Sequence, residues 1–418
     1  MKSLRVLICA YACEPHRGSE PGVGWSVARH IAEHCETWVI TREAFRQAIE
    51  AELANNPVSQ LHFVYYDPPP WLKAEGVIRS HVHYYLWQIG TYPVARRLCR
   101  NIDFDLTHHV TYARYWGPSF LALLPLPFIW GPVGGGESAP KGFWRGLGLG
   151  GVLFEVQREM ARWLGEHDPY TRRTARRSTL ALATTAESAA RMRKLKARSV
   201  RVLSEAGLPQ EDIKQLRLYP LDGESPVRFI STGRLLGWKG FHLGLCAFAE
   251  ARLTDAEYWI VGDGPERRSL EILAKRLGVD HKARFWGHLP RKEALSKLQR
   301  CHVVVHPSLH DSGGWVCLEA MAAGRPVVCL DIGGPATQVT PEAGFKIAAR
   351  NSRQTVVDLA EAIKKLAGSQ ELRKRMGEAG RELVMQEFSW SRKAEKMSGL
   401  YDLVLGEQRT SRRSGEFS

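Results

Sequence analysis

Short apolar runs alternate with amphipathic stretches along the first half of the chain. The apolar runs are brief and rich in β-branched residues, which is typical of buried strands, whereas the stretches between them repeat apolar residues every three or four positions, as helices do. Helical patterns of this kind lie at Gly22–His34 and Arg42–Leu53. The predicted strands are Arg5–Ala10, Thr37–Thr41, Leu61–Tyr66, Leu106–Val110, Pro127–Trp130 and Leu180–Thr184.

A second series with the same alternation follows residue 226. Its predicted strands are Val227–Ser231, Ala256–Val261, Arg284–Trp286, His302–His306 and Val327–Leu330. Its predicted helices are Phe241–Arg252, Glu266–Leu277, Arg291–Arg300 and Gly314–Ala323. Such alternation indicates right-handed βαβ units and parallel sheets. We therefore predict the α/β class, with two doubly wound Rossmann-like domains, each of which offers a ligand crevice at the carboxyl ends of its strands.

The polar, turn-rich segment 204–226 separates the two series. We place an N-terminal domain at residues 1–204 and a C-terminal domain at 205–388. An aromatic-rich helix at 389–406 is expected to pack back on the first domain. Residues 407–418 have the polar composition of a disordered tail.

The composition is that of a globular protein. The chain has 418 residues, of which 44% are apolar and 24% charged, and no stretch approaches the roughly 18 consecutive apolar residues that spanning a bilayer requires. The start, MKSLRVLICAYAC, has the outline of a signal peptide, but its apolar part is short and runs into a glycine-rich turn, so we interpret it as a buried strand. The eight cysteines are scattered without a C-x-x-C pair, which indicates neither a zinc site nor a disulfide framework and favours a cytoplasmic location.

Positive charge is both large and uneven. The formal net charge is +14, and Tyr170–Arg201 alone contains ten basic residues against one acidic residue, Glu187. Three interpretations remain open for this run: a solvated face, a nucleic-acid site and a site for an anionic membrane surface. The sequence holds no helix-turn-helix, zinc-finger or RNA-binding motif that would favour nucleic acid, and we expect none as a partner.

A turn rich in small residues follows the predicted strand His302–His306. It reads Asp311-Ser312-Gly313-Gly314 and leads into a helix that begins near Trp315. Free backbone amides at a helix N-terminus suit an anion such as phosphate. Glu319, more than one helical turn further on, is placed to accept hydrogen bonds from a ribose diol. A nucleotide-sugar fits this order of features, whereas the alternative is an ordinary helix start with an Asp cap.

Other strand ends carry glycines and cations. The stretch STGRLLGWKG contains Gly233, Arg234 and Lys239, and two cations at the carboxyl end of a strand suit a diphosphate whose charge is neutralised without a metal. An ordinary surface loop is the alternative. Further glycine turns follow the next two strands, at Gly262, Gly264 and Gly287.

The first loop of the chain, around GSEPGVG, is not a dinucleotide-binding fingerprint because it lacks the G-x-G-x-x-G pattern. Its glycines, Gly22 and Gly24, still allow backbone to approach a ligand closely. Asp103 and Asp105 form a D-x-D that could hold a metal ion. However, they precede strand Leu106–Val110, at the opposite end from the ligand crevice, so we interpret them as a helix-to-strand turn and expect no metal site.

Taken in order over about 110 residues, the motifs of the second half resemble family 4 of the retaining glycosyltransferases, also called glycosyl transferase group 1. The resemblance implies the GT-B fold, in which two Rossmann-like domains face each other across a cleft and C-terminal helices cross back. The matching pieces are GRLLGWKG, VGDGPE, FWGHLP, HPSLHDSGGWVCLEAMAAGRPVV and DIGG. The first half resembles one bacterial subgroup through YACEPHRGSEPGVGW, HHVTYARYWGPS and FIWGPVGGGE. The sequence departs from the family's E-x7-E element, which usually begins with Glu, because Asp311 stands at that position.

The resemblance implies a role for each matching residue. Glu319 would bind the ribose hydroxyls, the Ser312–Trp315 backbone the sugar and phosphate, and Asp311 the hexose hydroxyls. Arg234 and Lys239 would bind the diphosphate. The family also places a histidine after the fourth strand, facing the donor sugar. His108 and His109 both lie there, and we favour His108 because the subgroup usually keeps the first of the pair.

The resemblance thus implies a retaining transfer of a hexose, without a metal or a cofactor. The nucleoside-diphosphate sugar would be bound by the C-terminal domain, and the acceptor hydroxyl would be held on the N-terminal domain. Two stretches that mix aromatic and basic residues, at 68–100 and 141–164, favour a lipid-linked saccharide in cell-surface polysaccharide or glycolipid synthesis as the acceptor, with the protein peripheral on the inner face of the cytoplasmic membrane. A sugar-nucleotide epimerase, a phosphorylase on the same fold, and more remotely a basic nucleic-acid-binding protein are the alternatives. The sequence predicts neither the base nor the sugar of the donor.

Overall fold

The structure is a computed structural model that describes residues 4–69, 77–112, 114–221 and 225–415. The chain divides into two compact units. The first unit contains Met1–Gly136, Met160–Glu205 and Trp390–Ser418, and the second contains Glu137–Glu159 and Ala206–Ser389. Among the described residues, no helix combines the length and the apolar character that crossing a bilayer requires.

The first unit is built on a parallel sheet that has seven strands in the described part of the chain. In chain order these strands are β1 (Arg5–Ala10), β2 (Glu36–Thr41), β3 (Leu61–Tyr65), β4 (Leu106–Thr111), β5 (Phe128–Val133), β6 (Leu180–Ala183) and β7 (Val200–Val202). Their order across the sheet is β3-β2-β1-β4-β5-β6-β7. The order reverses between β1 and β4, as in a doubly wound fold.

Helices cover this sheet. They are α1 (Ser19–Ile31), α2 (Arg46–Asn55), α3 (Val77–Asn101), the second half of α4 (Gly148–His167), α5 (Pro169–Arg177), α6 (Ala186–Lys194) and α15 (Trp390–Gly415). The central strands are buried, and most of their side chains outside β4 are apolar, so the core of the unit lies on both faces of the sheet.

The second unit repeats this plan with a parallel sheet that has six strands among the described residues. They are β8 (Val227–Thr232), β9 (Ala256–Val261), β10 (Ala283–Gly287), β11 (Val303–His306), β12 (Val327–Leu330) and β13 (Gly344–Ile347), in the order β10-β9-β8-β11-β12-β13. The helices are α7 (Gln210–Arg217), α8 (Phe241–Ala251), α9 (Arg267–Arg276), α10 (Arg291–Arg300), α11 (Trp315–Ala322), α12 (Gly333–Gln338), α13 (Ser352–Gly368) and α14 (Gln370–Leu383). The predicted α/β class with two doubly wound sheets is confirmed.

Two edge strands escape the sequence pattern. Both β7 and β13 are short, and neither reads as an apolar run: β7 contains Arg201 and β13 contains Lys346. An edge strand pairs on one side only and can leave side chains in solvent, so its hydrophobic signal is weak.

The predicted domain limits differ from the observed division in three places. Residues 137–159, predicted within the first domain, belong to the second unit. The segment predicted as a polar seam contains α7, and its residues 222–224 lie outside the described residues. Helix α15 lies in the first unit and packs on α1, which is where the helix at 389–406 was expected, so the third difference is its length. It extends to Gly415, whereas the sequence predicts a disordered tail from 407.

The N-terminal part of α15 buries a lysine. Lys393 is 2% exposed, and its ammonium donates a hydrogen bond to the Ser204 carbonyl oxygen. Burial, with a smaller contribution from the charge of Lys396, lowers the pKa of Lys393 to about 7, and the nearby Glu205 carboxylate only partly opposes this effect. A buried ammonium therefore opposes folding wherever it stays protonated.

We expect stability to rise with pH because of Lys393. Between pH 7 and the usual pKa of lysine, the unfolded chain holds a proton that the folded chain has released, so the free energy of unfolding rises by up to about 1.4 kcal/mol per pH unit. Urea unfolding at pH 7, 8 and 9 should show this slope in the wild type and a flatter one in Lys393→Met. Lys194→Met, which removes an exposed lysine of the same unit, should keep the wild-type slope. Equal slopes in all three proteins would contradict the account.

Candidate active site

The order of strands brings two distant turns to one place in the second unit. Strands β8 and β11 are neighbours in the sheet, although two strands lie between them in the sequence. The turn after β8 contains Gly233–Lys239, and the turn after β11 contains Asp311–Gly314. This position is where the strand order reverses, which is the usual ligand site of a doubly wound sheet.

Asp311 joins the two turns. Its Oδ2 accepts a hydrogen bond from the Lys239 ammonium at 2.6 Å and lies 3.1 Å from Nε2 of His306. Its Oδ1 accepts from the Gly314 backbone N–H at 3.2 Å. One carboxylate thus binds a cation, an imidazole and the start of α11. As an N-terminal partner of the helix it also lies at the favourable end of the helix dipole.

Two opposing effects act on the Asp311 carboxyl. Burial would raise its pKa, but the charge of Lys239 and the hydrogen bond from His306 outweigh burial and hold the pKa well below its usual range. The carboxylate therefore stays ionised at neutral pH. An ionised carboxylate can only accept hydrogen bonds, so Nε2 of His306 carries the proton that it donates.

The DIGG segment packs directly under this turn. The Gly334 N–H donates to the Asp311 carbonyl oxygen at 2.7 Å. A Cβ on Gly333 would lie 2.4 Å from that same oxygen, and one on Gly334 would lie 2.4 Å from the Ser312 carbonyl oxygen. Only glycine permits this close approach.

Gly314 supports the turn through its backbone conformation. Its φ of 61° is left-handed, and a Cβ there would lie 2.5 Å from Oε1 of Gln338. The Gln338 amide in turn donates to the Gly313 carbonyl oxygen. Gln338 therefore supports the turn at Gly313 and Gly314, and the helix begins at the half-buried Trp315.

The other predicted glycines form a connected layer of strand-end turns. The Gly233 N–H donates to the Val261 carbonyl oxygen at 3.0 Å, and the Gly262 N–H donates to that of Gly287 at 2.8 Å. A Cβ on Gly262 would lie 1.9 Å from the Gly233 carbonyl oxygen, and one on Gly264 would lie 2.6 Å from that of Leu235. The turns after β8, β9 and β10 thus pack side by side.

The two predicted cations differ in their surroundings. Lys239 is half-buried and paired with Asp311. Arg234 is exposed at the carboxyl end of β8, and its guanidinium makes no hydrogen bond or ion pair with the residues that the structure describes. Arg234 is therefore available to an anion in solution, whereas Lys239 is held in one position.

Glu319 lies on α11 in a second ion pair. Its Oε1 accepts from Nη2 of Arg291 at 2.9 Å, and the same nitrogen lies 2.9 Å from Oδ2 of Asp212. Burial raises the pKa of Glu319, Arg291 opposes this effect, and the charge of Asp212 adds to it. Glu319 is thus a half-buried carboxylate whose ionisation depends on one arginine.

The two glycines of the first loop need correction. We predicted that Gly22 and Gly24 leave room for a ligand, but both lie within helix α1. A Cβ on Gly22 would lie 2.0 Å from the Arg17 carbonyl oxygen, and one on Gly24 would lie 2.0 Å from that of Ala12. Packing of the preceding loop on the helix therefore accounts for both glycines.

Both histidines of β4 are buried, and they have different partners. His108 bonds through Nδ1 to the Tyr401 hydroxyl at 2.7 Å and through Nε2 to the Gly131 carbonyl oxygen at 2.5 Å. His109 lies 3.3 Å from the Tyr112 carbonyl oxygen, and its Nδ1 has no hydrogen-bond partner among the described residues. Burial lowers the pKa of each to about 4, so both are neutral. Both ring nitrogens of His108 are occupied, so the geometry favours His109 as the imidazole with a nitrogen that could bond a ligand.

Sequence reasoning missed several residues of the second unit. His306 lies at the end of a run of apolar strand residues. Arg291 and Gln338 lie in stretches whose sequence resembles an ordinary helix surface. His310 packs against Trp238 and Phe154, and burial with the charge of Arg158 lowers its pKa to about 3. Their positions in the predicted elements could have pointed to two of them, because His306 is the last residue of strand β11 and Arg291 is the first residue of the helix that follows β10.

The D-x-D pair lies where the sequence places it. Asp103 and Asp105 fall in the turn between α3 and β4, at the amino end of the strand, and Oδ2 of Asp105 accepts from the Arg5 backbone N–H at 2.8 Å. In the described ranges, no three His, Cys, Asp or Glu side chains gather as metal ligands would.

We expect the Lys239–Asp311 pair to contribute to stability. Lys239→Met removes the cation that pairs with the Asp311 carboxylate, which is only 18% exposed. The unpaired carboxylate should lower the free energy of unfolding by about 1–3 kcal/mol. The wild-type contribution is fully present above pH ~4, the unfolded pKa of Asp, and is lost as pH falls further toward the lower folded pKa. Lys364→Met, which breaks an exposed pair with Glu361, should change stability by less than about 0.5 kcal/mol. Chemical unfolding at pH 7 compares the two, and equal losses would contradict the assignment.

Comparison with known proteins adds family evidence to this geometry. Residues 220–383 match the family described as glycosyl transferases group 1. The 2-deoxystreptamine glucosyltransferase of Streptomyces kanamyceticus is 31% identical over 208 residues, which cover 48% of this chain and 51% of that protein. The lipopolysaccharide core biosynthesis glycosyltransferase LpsD of Rhizobium meliloti is 32% identical over 173 residues, 41% of this chain and 48% of that protein. The matches thus span about half the length of these relatives.

The fold has relatives along almost the whole chain. The structure of Anabaena Alr3699/HepE in complex with UDP has a TM-score of 0.59 and 16% identity, and the match covers 96% of this chain and 99% of that one. At this identity the likeness concerns the fold alone. Residues 220–383 are thus similar to the glycosyl transferases of group 1, and the pair of doubly wound sheets is the GT-B fold that the sequence predicts.

Proposed function

We propose that the protein is a retaining hexosyltransferase that uses a nucleoside-diphosphate sugar and needs no metal. The observation that carries the proposal is the convergence of Arg234, Lys239 and the Asp311–Gly314 turn at the strand-order reversal of the second unit. Its support from relatives is the group 1 family match and the glucosyltransferase of Streptomyces kanamyceticus.

The proposed donor site uses fixed charges for the diphosphate. The leaving nucleoside diphosphate gains negative charge in the transition state, and preorganised cations and amides stabilise that charge without reorganising. Lys239 is preorganised by its ion pair with Asp311, and Arg234 adds a planar donor that suits phosphate oxygens. The backbone amides that open α11 complete this set.

In this proposal Asp311 and Glu319 bind the uncharged hydroxyl groups of the donor, those of the hexose and of the ribose. Glu319 binds the ribose diol with the carboxylate oxygen that does not face Arg291. Asp311 accepts from a hexose hydroxyl while it keeps Lys239 in place. Retention of the anomeric configuration is proposed from the family resemblance, and an NMR spectrum of the first-formed product tests it directly.

An epimerase or a phosphorylase remains the second candidate, because the same fold hosts all three activities. Incubation with donor alone separates an epimerase from a transferase. An epimerase converts the sugar of the donor, whereas a transferase gives slow hydrolysis at most. Inorganic phosphate as the co-substrate then tests the phosphorylase.

We expect Lys239→Ala to lower kcat/KM for donor by on the order of 10²-fold, because it removes a cation that stabilises the leaving diphosphate. Activity and nucleotide affinity should both survive EDTA in the wild type. Loss of activity on chelation, restored by Mn²⁺, would contradict the metal-free part of the proposal. Unchanged kinetics in Lys239→Ala would contradict the role of the lysine.

For the acceptor we propose a lipid-linked saccharide of polysaccharide or glycolipid synthesis, met at the anionic inner surface of the cytoplasmic membrane. The relative from Rhizobium meliloti is named for lipopolysaccharide core synthesis, which supports this class. We propose no nucleic-acid partner. Residues 70–76, part of one aromatic and basic stretch that led to the membrane prediction, lie outside the described residues.

The surface of the first unit supports the membrane proposal. In the second half of α4, Met160, Trp163 and Leu164 are 59%, 58% and 59% exposed, and they lie on one helical face. The opposite face contacts Trp116, where a Cβ on Gly165 would lie 2.4 Å from the backbone oxygen. Exposed apolar side chains of this size suit a bilayer interface.

Exposed arginines follow on the next helix. Arg173, Arg176 and Arg177 lie on α5, which begins at the Asp168 cap, and the neighbouring Tyr170 is also exposed. Arg172 is different, because its Nε donates to the Glu166 carbonyl oxygen at 2.7 Å. The three exposed arginines therefore supply the proposed contact with anionic lipid, at ~1 kcal/mol for each cation near the surface.

Liposome sedimentation tests this surface. The wild type should pellet with anionic vesicles at low salt, and less at high salt, because salt screens the arginines. Changing Arg173, Arg176 and Arg177 to Ser should abolish most of the binding. Changing Arg268, Lys275 and Arg276 to Ser on α9 removes equal charge elsewhere and should leave binding intact. A wild type that stays in the supernatant, or equal losses in both variants, would contradict the proposal.

A further inference from the structure

A single arginine of the second unit lies between two carboxylates. Arg291 is the first residue of α10, directly after the turn that follows β10. Its Nη2 lies 2.9 Å from Oε1 of Glu319 on α11 and 2.9 Å from Oδ2 of Asp212 on α7. These two ion pairs therefore connect the helices α7, α10 and α11.

The position of Arg291 calls for a specific partner. A cation in the first turn of a helix faces the positive end of the helix dipole, which is unfavourable. Side-chain exposure falls from 54% for Arg291 to 24% for Asp212 and 16% for Glu319, so the arginine approaches both carboxylates from the solvent side. The two acidic partners offset the unfavourable position and fix the direction of the guanidinium.

We propose that Arg291 is a positioning residue that orients Glu319 toward the ribose hydroxyls of the nucleotide, and that Asp212 holds Arg291 in place. This inference rests on the proposed function, because it takes Glu319 as the ribose-binding residue. Arg291 uses one side of the carboxylate, and the other oxygen of Glu319 accepts hydrogen bonds from the diol.

The charge on Glu319 gives the inference a measurable signature. Burial raises the pKa of Glu319, and Arg291 is the group that opposes the rise, while Asp212 adds to it. Of the other elements packed on α11, α14 presents Arg381, which donates to the Tyr219 and Ala323 carbonyl oxygens. Without Arg291 the pKa rises further, so the carboxylate is lost as an acceptor at a higher pH than in the wild type.

The test is isothermal titration with UDP, GDP and ADP, and with the 2′,3′-dideoxy form of whichever binds, at pH 6, 7 and 8. We expect Arg291→Gln to weaken binding of the ribose form by about tenfold at pH 7, which is the range of one charge-assisted hydrogen bond. The loss should be larger at pH 6 and smaller at pH 8. For the dideoxy form, wild type and variant should bind alike.

Three further variants separate positioning from a general structural effect. Arg291→Lys should restore part of the affinity. Asp212→Asn should show a smaller loss that does not grow at pH 6, because it removes a charge that raises the pKa of Glu319. Arg284→Gln removes another arginine–glutamate pair, with Glu257, and should bind as the wild type does. Unchanged or tighter binding by Arg291→Gln, or equal losses for ribose and dideoxy forms, would overturn the inference. A wild type that binds none of the nucleotides would overturn the proposed function and, with it, this inference.

Discussion

The half-buried carboxylate of Asp311 is the contact on which the candidate site depends. It accepts from Lys239 across 72 residues of sequence and from the backbone of Gly314 at the start of α11. The parallel sheet makes the contact possible, because β8 and β11 are neighbours although β9 and β10 lie between them in the chain. Without this carboxylate, the lysine and the helix start would have no common partner.

The same arrangement recurs on the nucleoside side of the proposed donor site. There Arg291 joins Glu319 and Asp212, as Lys239 joins the turns after β8 and β11. In both cases a cation and a carboxylate fix each other before any ligand arrives. A site whose charges are already oriented spends little free energy on ordering them during the reaction. Fixed charge, supplied by side chains and helix amides, is what we propose in place of a metal ion.

The sequence predicted the parts of this structure that have a periodic or a turn-specific signal. Apolar runs predicted the central strands. Glycines such as Gly262 and Gly314 marked the turns that follow strands, because the positive φ angles of these residues favour glycine. The edge strands β7 and β13 were missed because half-exposed strands carry little hydrophobic pattern. Residues 137–159 were assigned to the wrong unit, since a helix that begins in one unit and ends in the other has no break in its sequence pattern.

The pattern of apolar and polar residues does not predict which side chains contact each other. Nothing in the spacing shows that Arg291 faces Glu319, or that both ring nitrogens of His108 are occupied by Tyr401 and Gly131. The glycines Gly22 and Gly24 illustrate the same limit. The sequence indicates that no side chain fits there, but whether a ligand or the chain itself takes the space depends on the packing of Arg17 and Ala12.

The most direct test of the central claim is the thermal unfolding of the wild type and Lys239→Ala in EDTA, with UDP, GDP, ADP and their sugars. One nucleotide, at 100 times its dissociation constant, should stabilise the wild type by ~2.7 kcal/mol. The same concentration should stabilise Lys239→Ala far less, because the diphosphate has lost its fixed cation. Stabilisation that appears only when a divalent metal is added, or that is equal in the two proteins, would contradict the claim that the Asp311–Lys239 turn binds the diphosphate through protein charges alone.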